Sequence, residues 1–315
     1  MTRSAVETVV PVLVAVVVGL GYATASTALV GNATTVCLGT DPVTGATYTP
    51  CQQRTRLTGA FASSCGAVWS QQPVRVDLGF QATFSFQVSN ATGWCPHNMN
   101  AYKRCRARGG HGLALVLHND PTMASLGSLL GSCLEGLGYT GINNSLAVEL
   151  DMWHDDQLYD MYDNHMAIQT MSTSANTNDH RHTYGGSPDI PDLASGQNHT
   201  VRLVYEPTVD ITILQSETCA QRYACDRFQS TAQFASMLPT VYASAPGMGT
   251  AWAYLDDMVE PRFIVPIYFP ALLNLTAGTS LYVGLTAATG AVQFQVHDVF
   301  GFTFCSGGTC SQILP

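Results

Sequence analysis

The chain has 315 residues, 46% hydrophobic and 11% charged, with a formal net charge of −9. That supports a large buried core, and β-sandwiches of this size commonly form one domain. It excludes a phosphate-neutralising surface for nucleic acid or anionic membrane, since the basic residues cluster once, at Lys103, Arg104, Arg106 and Arg108, in what reads as a solvated loop.

Arg3, an apolar run over residues 9–20 and small residues through Ala28 form a secretory leader pattern. A run of about a dozen apolar residues is short for a spanning helix. The expectation is a signal peptide over 1–28, with Ala23-Thr24-Ala25 and Ser26-Thr27-Ala28 resembling cleavage sites. Glu7 departs from a purely basic leader, and an uncleaved anchor is the alternative. No later run is long and apolar enough to span, so no membrane insertion is expected after cleavage.

Ten cysteines, at 37, 51, 65, 95, 105, 133, 219, 225, 305 and 310, fall into no paired zinc pattern and fit an oxidising compartment. Spacing leaves their pairing open. Sequons at Asn32, Asn90, Asn143, Asn198 and Asn274 suit a glycosylated, secreted, extracellular protein.

Residues 29–54, rich in Gly, Thr and Pro, read as an irregular lead-in tied down by Cys37 and Cys51. From there the pattern is strand, turn, strand. Residues 73–78 and 82–88 alternate, with Phe84 and Phe86 on one side, and further strands are expected at 112–118, 146–153, 164–170, 200–205, 262–268, 281–287 and 292–304. Only 228–238 looks helical, and 212–256 fits the strand pattern poorly and reads as an insertion loop. Many short strands punctuated by Gly and Pro predict an all-β, antiparallel jelly-roll sandwich over 55–315.

The chemistry concentrates between 146 and 169. On a strand, Leu146, Val148, Leu150 and Met152 share one face, and Glu149, Asp151, Trp153 and Asp155 the other. A loop carrying Asp160 leads to a second strand, with His165 opposite Met166 and Ile168 in facing, and a hairpin brings His165 beside Glu149 and Asp151. Carboxylates gathered on one patch repel and resist desolvation unless a cation neutralises them. Oxygen donors suit Ca2+, and carboxylates mixed with imidazole suit a transition metal such as Mn2+. Strict alternation against an apolar face favours a metal site over a solvated acidic loop. The loop with His180 and His182 reads as a solvated turn, and the carboxylate pair Asp256 and Asp257 has no nucleophile or partner that would build an active site around it. No Ser-His-Asp, HExxH or phosphate-loop motif appears, so no catalysis is expected.

The pattern Glu149-x-Asp151-x-Trp153-x-Asp155, then Asp160, then His165, resembles the metal-binding signature of the L-type (legume-type) lectins. The runs GLALVLHNDP at 112–121, LGYTGI at 137–142, YVGLTAATG at 282–290 and HDV at 297–299 resemble further motifs of that family in the same order. The resemblance covers about residues 55 to 305. It implies a concanavalin-like sandwich and a transition-metal site from Glu149, Asp151, Asp160 and His165. It also implies a Ca2+ site from Asp151, Asp160, Asp155 and the Trp153 carbonyl, and a sugar pocket of His111, Gly112, Trp153 and Asp155, with Trp153 stacking on a pyranose. Two positions depart from the family pattern. The family usually carries an aspartate preceded by a cis peptide in the turn that here reads GGHG at 109–112, and many members carry asparagine at the position of Asp155.

The leading expectation is therefore a secreted lectin whose partners are glycans or glycoproteins. The alternative is a structural or adhesive module of an extracellular assembly that keeps the metal and has lost the sugar. A sandwich-fold glycoside hydrolase is a third reading, less suited to Asp160 and His165. Homo-oligomerisation stays open.

Overall fold

The computed structural model of the chain describes residues 23–92, 109–160, 162–207, 249–267, 269–275 and 280–315. The first strands are β1 (Ala23–Thr24), β2 (Thr27–Gly31), β3 (Thr34–Thr40), β4 (Thr47–Thr58), β5 (Cys65–Ser70) and β6 (Val74–Arg75). Next come β7 (Phe80–Ser89), β8 (Gly112–His118), β9 (Ser145–Asp151), β10 (His165–Thr170), β11 (Thr183–Ser187) and β12 (Asn198–Glu206). The chain closes with β13 (Gly249–Leu255), β14 (Phe263–Ile267), the short helix α1 (Phe269–Leu272), β15 (Ser280–Ala288), β16 (Val296–Ser306) and β17 (Thr309–Gln312).

Two sheets face each other. One runs β1-β17-β16-β7-β12-β13-β14, with β4 also on β16 and carrying β3; the other runs β11-β10-β9-β8-β15-β5-β2, with β6 on β15. Every pairing is antiparallel except β1 with β17. Inward residues of both sheets form the main core: Phe84, Phe86, Val201 and Leu203 from the first meet Leu115, Val148, Leu150 and Ile168 from the second. Burying such side chains against a facing sheet is worth roughly 1.5–3 kcal/mol each.

The outer face of the second sheet is covered as well. Leu137, Tyr139 and Ile142 pack on Ala67, Trp69, Ala114, Val116 and Ala147 in a second, smaller core. The segment that supplies them, residues 126–142, lies over the middle of the sheet as a flap. A disulfide from Cys133 to Cys65 pins it to β5.

Three sequence expectations change. The lead-in is not irregular: β3 pairs with β4 and β4 with β16, and Cys37–Cys51 bridges the hairpin. Its polar residues are internally satisfied, since buried Arg54 donates to Gln52 and Tyr48, and Tyr48 in turn donates to Asp41. Thr27 and Ala28, placed in the leader by the sequence, pair with Ser70 and Trp69. The insertion reading of 212–256 ends too late, because Gly249–Leu255 is a sheet strand between β12 and β14. The run GTAWAYL alternates with small residues inward, a weak apolar signal that explains why it escaped notice. The basic cluster at 103–108, Cys95, Cys105, Cys219, Cys225 and the 228–238 helix lie outside the described residues. Among the described residues no helix is long and apolar enough to cross a membrane.

Candidate functional site

Strand β9 is central, flanked by β8 and β10, which is why its outward side chains converge with theirs. His165 is the register partner of Asp151 across β10, and Gly112 across β8. Leu146, Val148, Leu150 and Met152 do enter the main core, leaving Glu149 and Asp151 on the opposite face. The flap covers that face, so Glu149 and His165 are fully buried and Asp151 is 4% exposed.

The Glu149 carboxylate is held from three sides. Tyr139 Oη donates to Oε2 at 2.6 Å, Gln169 Nε2 donates to Oε1 at 2.8 Å, and His180 Nε2 lies 2.9 Å from Oε1. Burial alone would raise the Glu149 carboxyl, but hydrogen bonds with His165 and His180 hold it below the usual carboxylate range. Asp151 behaves oppositely: burial and then the neighbouring Asp160 charge push it well up. Burial also raises Asp160. For His165, burial works against the charged form, but Glu149, Asp151 and Asp160 outweigh it and lift the imidazole to about 9. Two carboxyls that resist ionisation beside an imidazole that prefers to be charged describe a pocket short of positive charge.

Two groups of side chains have donor atoms mutually within 4.8 Å: Asp151, Asp160 and His165, and Glu149, His165 and His180. The first fits the sequence expectation. The second corrects it, because His180, read as part of a solvated turn, is 1% exposed. It enters from a 3-10 turn, His180–His182, just ahead of edge strand β11, and Asp179 caps this turn by accepting the Arg181 amide at 2.9 Å. The preceding loop is sewn to the flap: Gly141 N donates to Asn176 O at 2.8 Å and Asn176 N to Ile142 O at 3.0 Å. A signal was present in the chain. Asn176, Asn178 and His180 alternate inward, at 2%, 5% and 1% exposure, in strand period but without an apolar residue to announce it. His182 stays at the surface of the turn.

The rim of the site is the loop after β9. Asp151 Oδ1 accepts the Trp153 amide at 2.7 Å, and Asp160 Oδ2 accepts the Asp155 amide at 2.6 Å. The Asp155 carboxylate accepts the Gln157 amide at 2.9 Å, capping the turn Asp156–Leu158, and lies outside both donor groups. The Gly110–His111 peptide is cis, and the His111 carbonyl accepts the Met152 amide at 2.9 Å, which fastens the GGHG turn to the end of β9. Gly112 cannot carry a side chain, since an added Cβ would overlap the Leu150 carbonyl. The His111 ring meets Trp153 edge-on, centroids 6.1 Å apart, and burial lowers its pKa, so the ring is neutral at neutral pH.

Asp256 makes a structural contact rather than forming part of an active site. Its Oδ2 lies 2.8 Å from His199 Nδ1, and Ser195 Oγ lies 3.3 Å from His199 Nε2, tying the loop before β12 to the turn after β13. Asn32, Asn90, Asn198 and Asn274 are exposed, while Asn143 is half-buried and donates to Thr122 Oγ1 at 3.2 Å.

A model of the legume lectin domain matches residues 46–242, more than half of the chain. Among curated proteins the chain is 26% identical over 278 residues to the L-type lectin-domain containing receptor kinase V.9 of Arabidopsis thaliana, covering 82% of this chain and 33% of that protein. The chain thus spans about a third of that relative's length. Among solved structures it resembles metal-free lectin I-B4 from Griffonia simplicifolia, 18% identical over 90% of this chain and 93% of that one, TM-score 0.51. The exoplasmic/lumenal domain of VIP36, in its Ca2+/Man3GlcNAc-bound form, is 15% identical over 80% and 78% of the two chains, TM-score 0.48.

Proposed function

The chain belongs to the legume lectin domain family, and on that premise we propose that it is a secreted, metal-dependent glycan-binding protein that performs no catalysis. The observation that carries this reading is the convergence of Asp151, Asp160 and His165 under a rim made by Trp153 and the cis Gly110–His111 turn. The donor set fits the metals: buried carboxylates whose ionisation is opposed by burial are the groups a cation would neutralise. Glu149, Asp151, Asp160 and His165 would hold a transition metal such as Mn2+. Asp151, Asp160, Asp155 and the Trp153 carbonyl would hold Ca2+. When bound, the ions supply positive charge that fixes the loop from 151 to 160.

The chain's own residues then do the binding. Asp151 and Asp160 already hold the Trp153 and Asp155 amides, so ordering the two carboxylates orients the rim. Trp153 offers an apolar ring face for the C–H face of a pyranose. His111 offers one neutral acceptor where a carboxylate would offer paired ones.

A glycan array with and without EDTA tests the reading. Binding that vanishes with EDTA and returns with Ca2+ and Mn2+ is expected, and Asp151→Ala should be silent under both conditions. Metal-insensitive binding, or none with metal present, would sink it. His111 favours a second reading, an adhesive module that retains metal without sugar affinity. Metal uptake together with a blank array and co-purifying protein partners would support that one.

A further inference from the structure

Beside the four expected ligands stands His180. It comes from a different loop, in the 3-10 turn just ahead of β11. Its Nε2 lies 2.8 Å from His165 Nε2, 2.9 Å from Glu149 Oε1 and 3.8 Å from Asp160 Oδ1, and His165 Nε2 lies 3.5 Å from Glu149 Oε1. Metal bonds of roughly 2.0–2.2 Å place neighbouring donors about 2.8–3.6 Å apart, depending on geometry. The Glu149, His165 and His180 atoms are spaced as three corners of such a polyhedron, with Asp160 Oδ1 just beyond that spacing.

The tautomer of His165 agrees. Its Nδ1 is 2.6 Å from the Tyr162 carbonyl, which only accepts, so Nδ1 carries a proton, and Nε2, facing the cluster, is the nitrogen that would give up its proton to a metal. The two imidazole planes cross at 83°, centroids 4.5 Å apart, so the rings converge on one point without stacking. Glu149 is steadied from behind by Tyr139 and Gln169, the outer support a ligating carboxylate needs. The loop bearing His180 is held by Asn178, whose amide donates to the Glu135 carbonyl of the flap.

We propose that His180 is a second imidazole ligand of this centre, which makes it a two-histidine, carboxylate site that selects Zn2+ or Co2+ over Mn2+. Imidazole suits Zn2+ and its borderline neighbours, and each nitrogen exchanged for an oxygen widens their advantage over Mn2+. The inference rests on the metal reading above and changes which ion it names. The competing arrangement is a metal-free hydrogen-bonded pair in which His180 Nε2–H is shared between Glu149 and His165.

The experiment is titration of the full chain, stripped with chelator, with Zn2+, Co2+ and Mn2+ separately, for wild type, His180→Gln and His182→Gln. Wild type should bind Zn2+ and Co2+ more tightly than Mn2+. His180→Gln should lose well over a hundredfold in Zn2+ and Co2+ affinity, beyond the outer-support effect of about 10–100-fold. Its Mn2+ affinity should change less than about threefold, by the same ranking of donors. His182→Gln should match wild type. The Co2+-loaded wild type should show two paramagnetically shifted imidazole N–H resonances, a readout that needs no variant to fold. One such resonance, Mn2+ preferred by wild type, or equal Zn2+ affinity in His180→Gln would overturn the inference while leaving a metal site standing. No uptake of any of the three ions would overturn the metal reading with it.

Discussion

His111 sits where a carboxylate would be the stronger sugar acceptor. Its ring is neutral and half-buried, with Trp153 against one edge and Gly290 close to its Nε2. A carboxylate there would take hydrogen bonds from two hydroxyls, each worth about 1.5–3 kcal/mol when the acceptor is charged. His111→Asp is therefore expected to raise monosaccharide affinity roughly tenfold or more, read by calorimetry in Ca2+ and Mn2+. No gain would place the specificity of the pocket in other residues. At this scale the chain disclosed much: Glu149, Asp151 and His165 were legible as a group because strand period separates them from an apolar face, and Asp160 by its place in the loop that joins the two strands. His180 was not, because its alternating neighbours Asn176 and Asn178 are polar, and only the flap that covers them makes that face an interior.

The flap is the element on which the centre depends. Residues 126–142 form no strand, yet they carry Tyr139 to Glu149 and the Asn178 acceptor, and Cys65–Cys133 ties them down across 68 residues of chain. Closing a loop of that length is worth ~4 kcal/mol by chain entropy, against ~2 kcal/mol for the five-residue closure by Cys305–Cys310. Cys65→Ser/Cys133→Ser should thus cost more stability in a urea melt than Cys305→Ser/Cys310→Ser. It should also weaken metal binding, whereas the second pair, on the other sheet, should leave metal affinity unchanged. Equal metal affinities would mean that packing alone holds the flap. The strands around it were largely expected, β8 to the residue, because both faces of β8 are apolar. The β3–β4 hairpin was missed because its side chains are mostly polar and its stability comes from pairing and from the Arg54 network.

For the whole molecule, packing two sheets and a flap together leaves imidazoles without water. Burial holds His297 at about 3 and His118 at about 4. His297 bridges Thr58 Oγ1 at 2.7 Å and Gln295 Nε2 at 2.8 Å, deep between β4 and β16. In the unfolded chain such a group titrates near 6.5, so as pH falls the unfolded state takes the proton first. Stability is lost between about pH 6.5 and pH 3, at most about 1.4 kcal/mol per pH unit for each such group. His297→Asn should flatten the decline in unfolding free energy measured from pH 6.5 to pH 4. An unchanged slope would mean that His297 takes up its proton in the folded state.

The sequence by itself determined the sandwich and the polar face of the β9–β10 hairpin. Both are written in local period: alternation along one strand states which residues face in, and a short hairpin states which ones meet. Only the tertiary structure decided that strands within residues 29–54 join the sheets, that Gly249–Leu255 is a sheet strand, and that His180 stands against Glu149 and His165. Those facts rest on polar contacts between segments far apart in the chain, and a polar residue is pulled inside only after folding has supplied its partner.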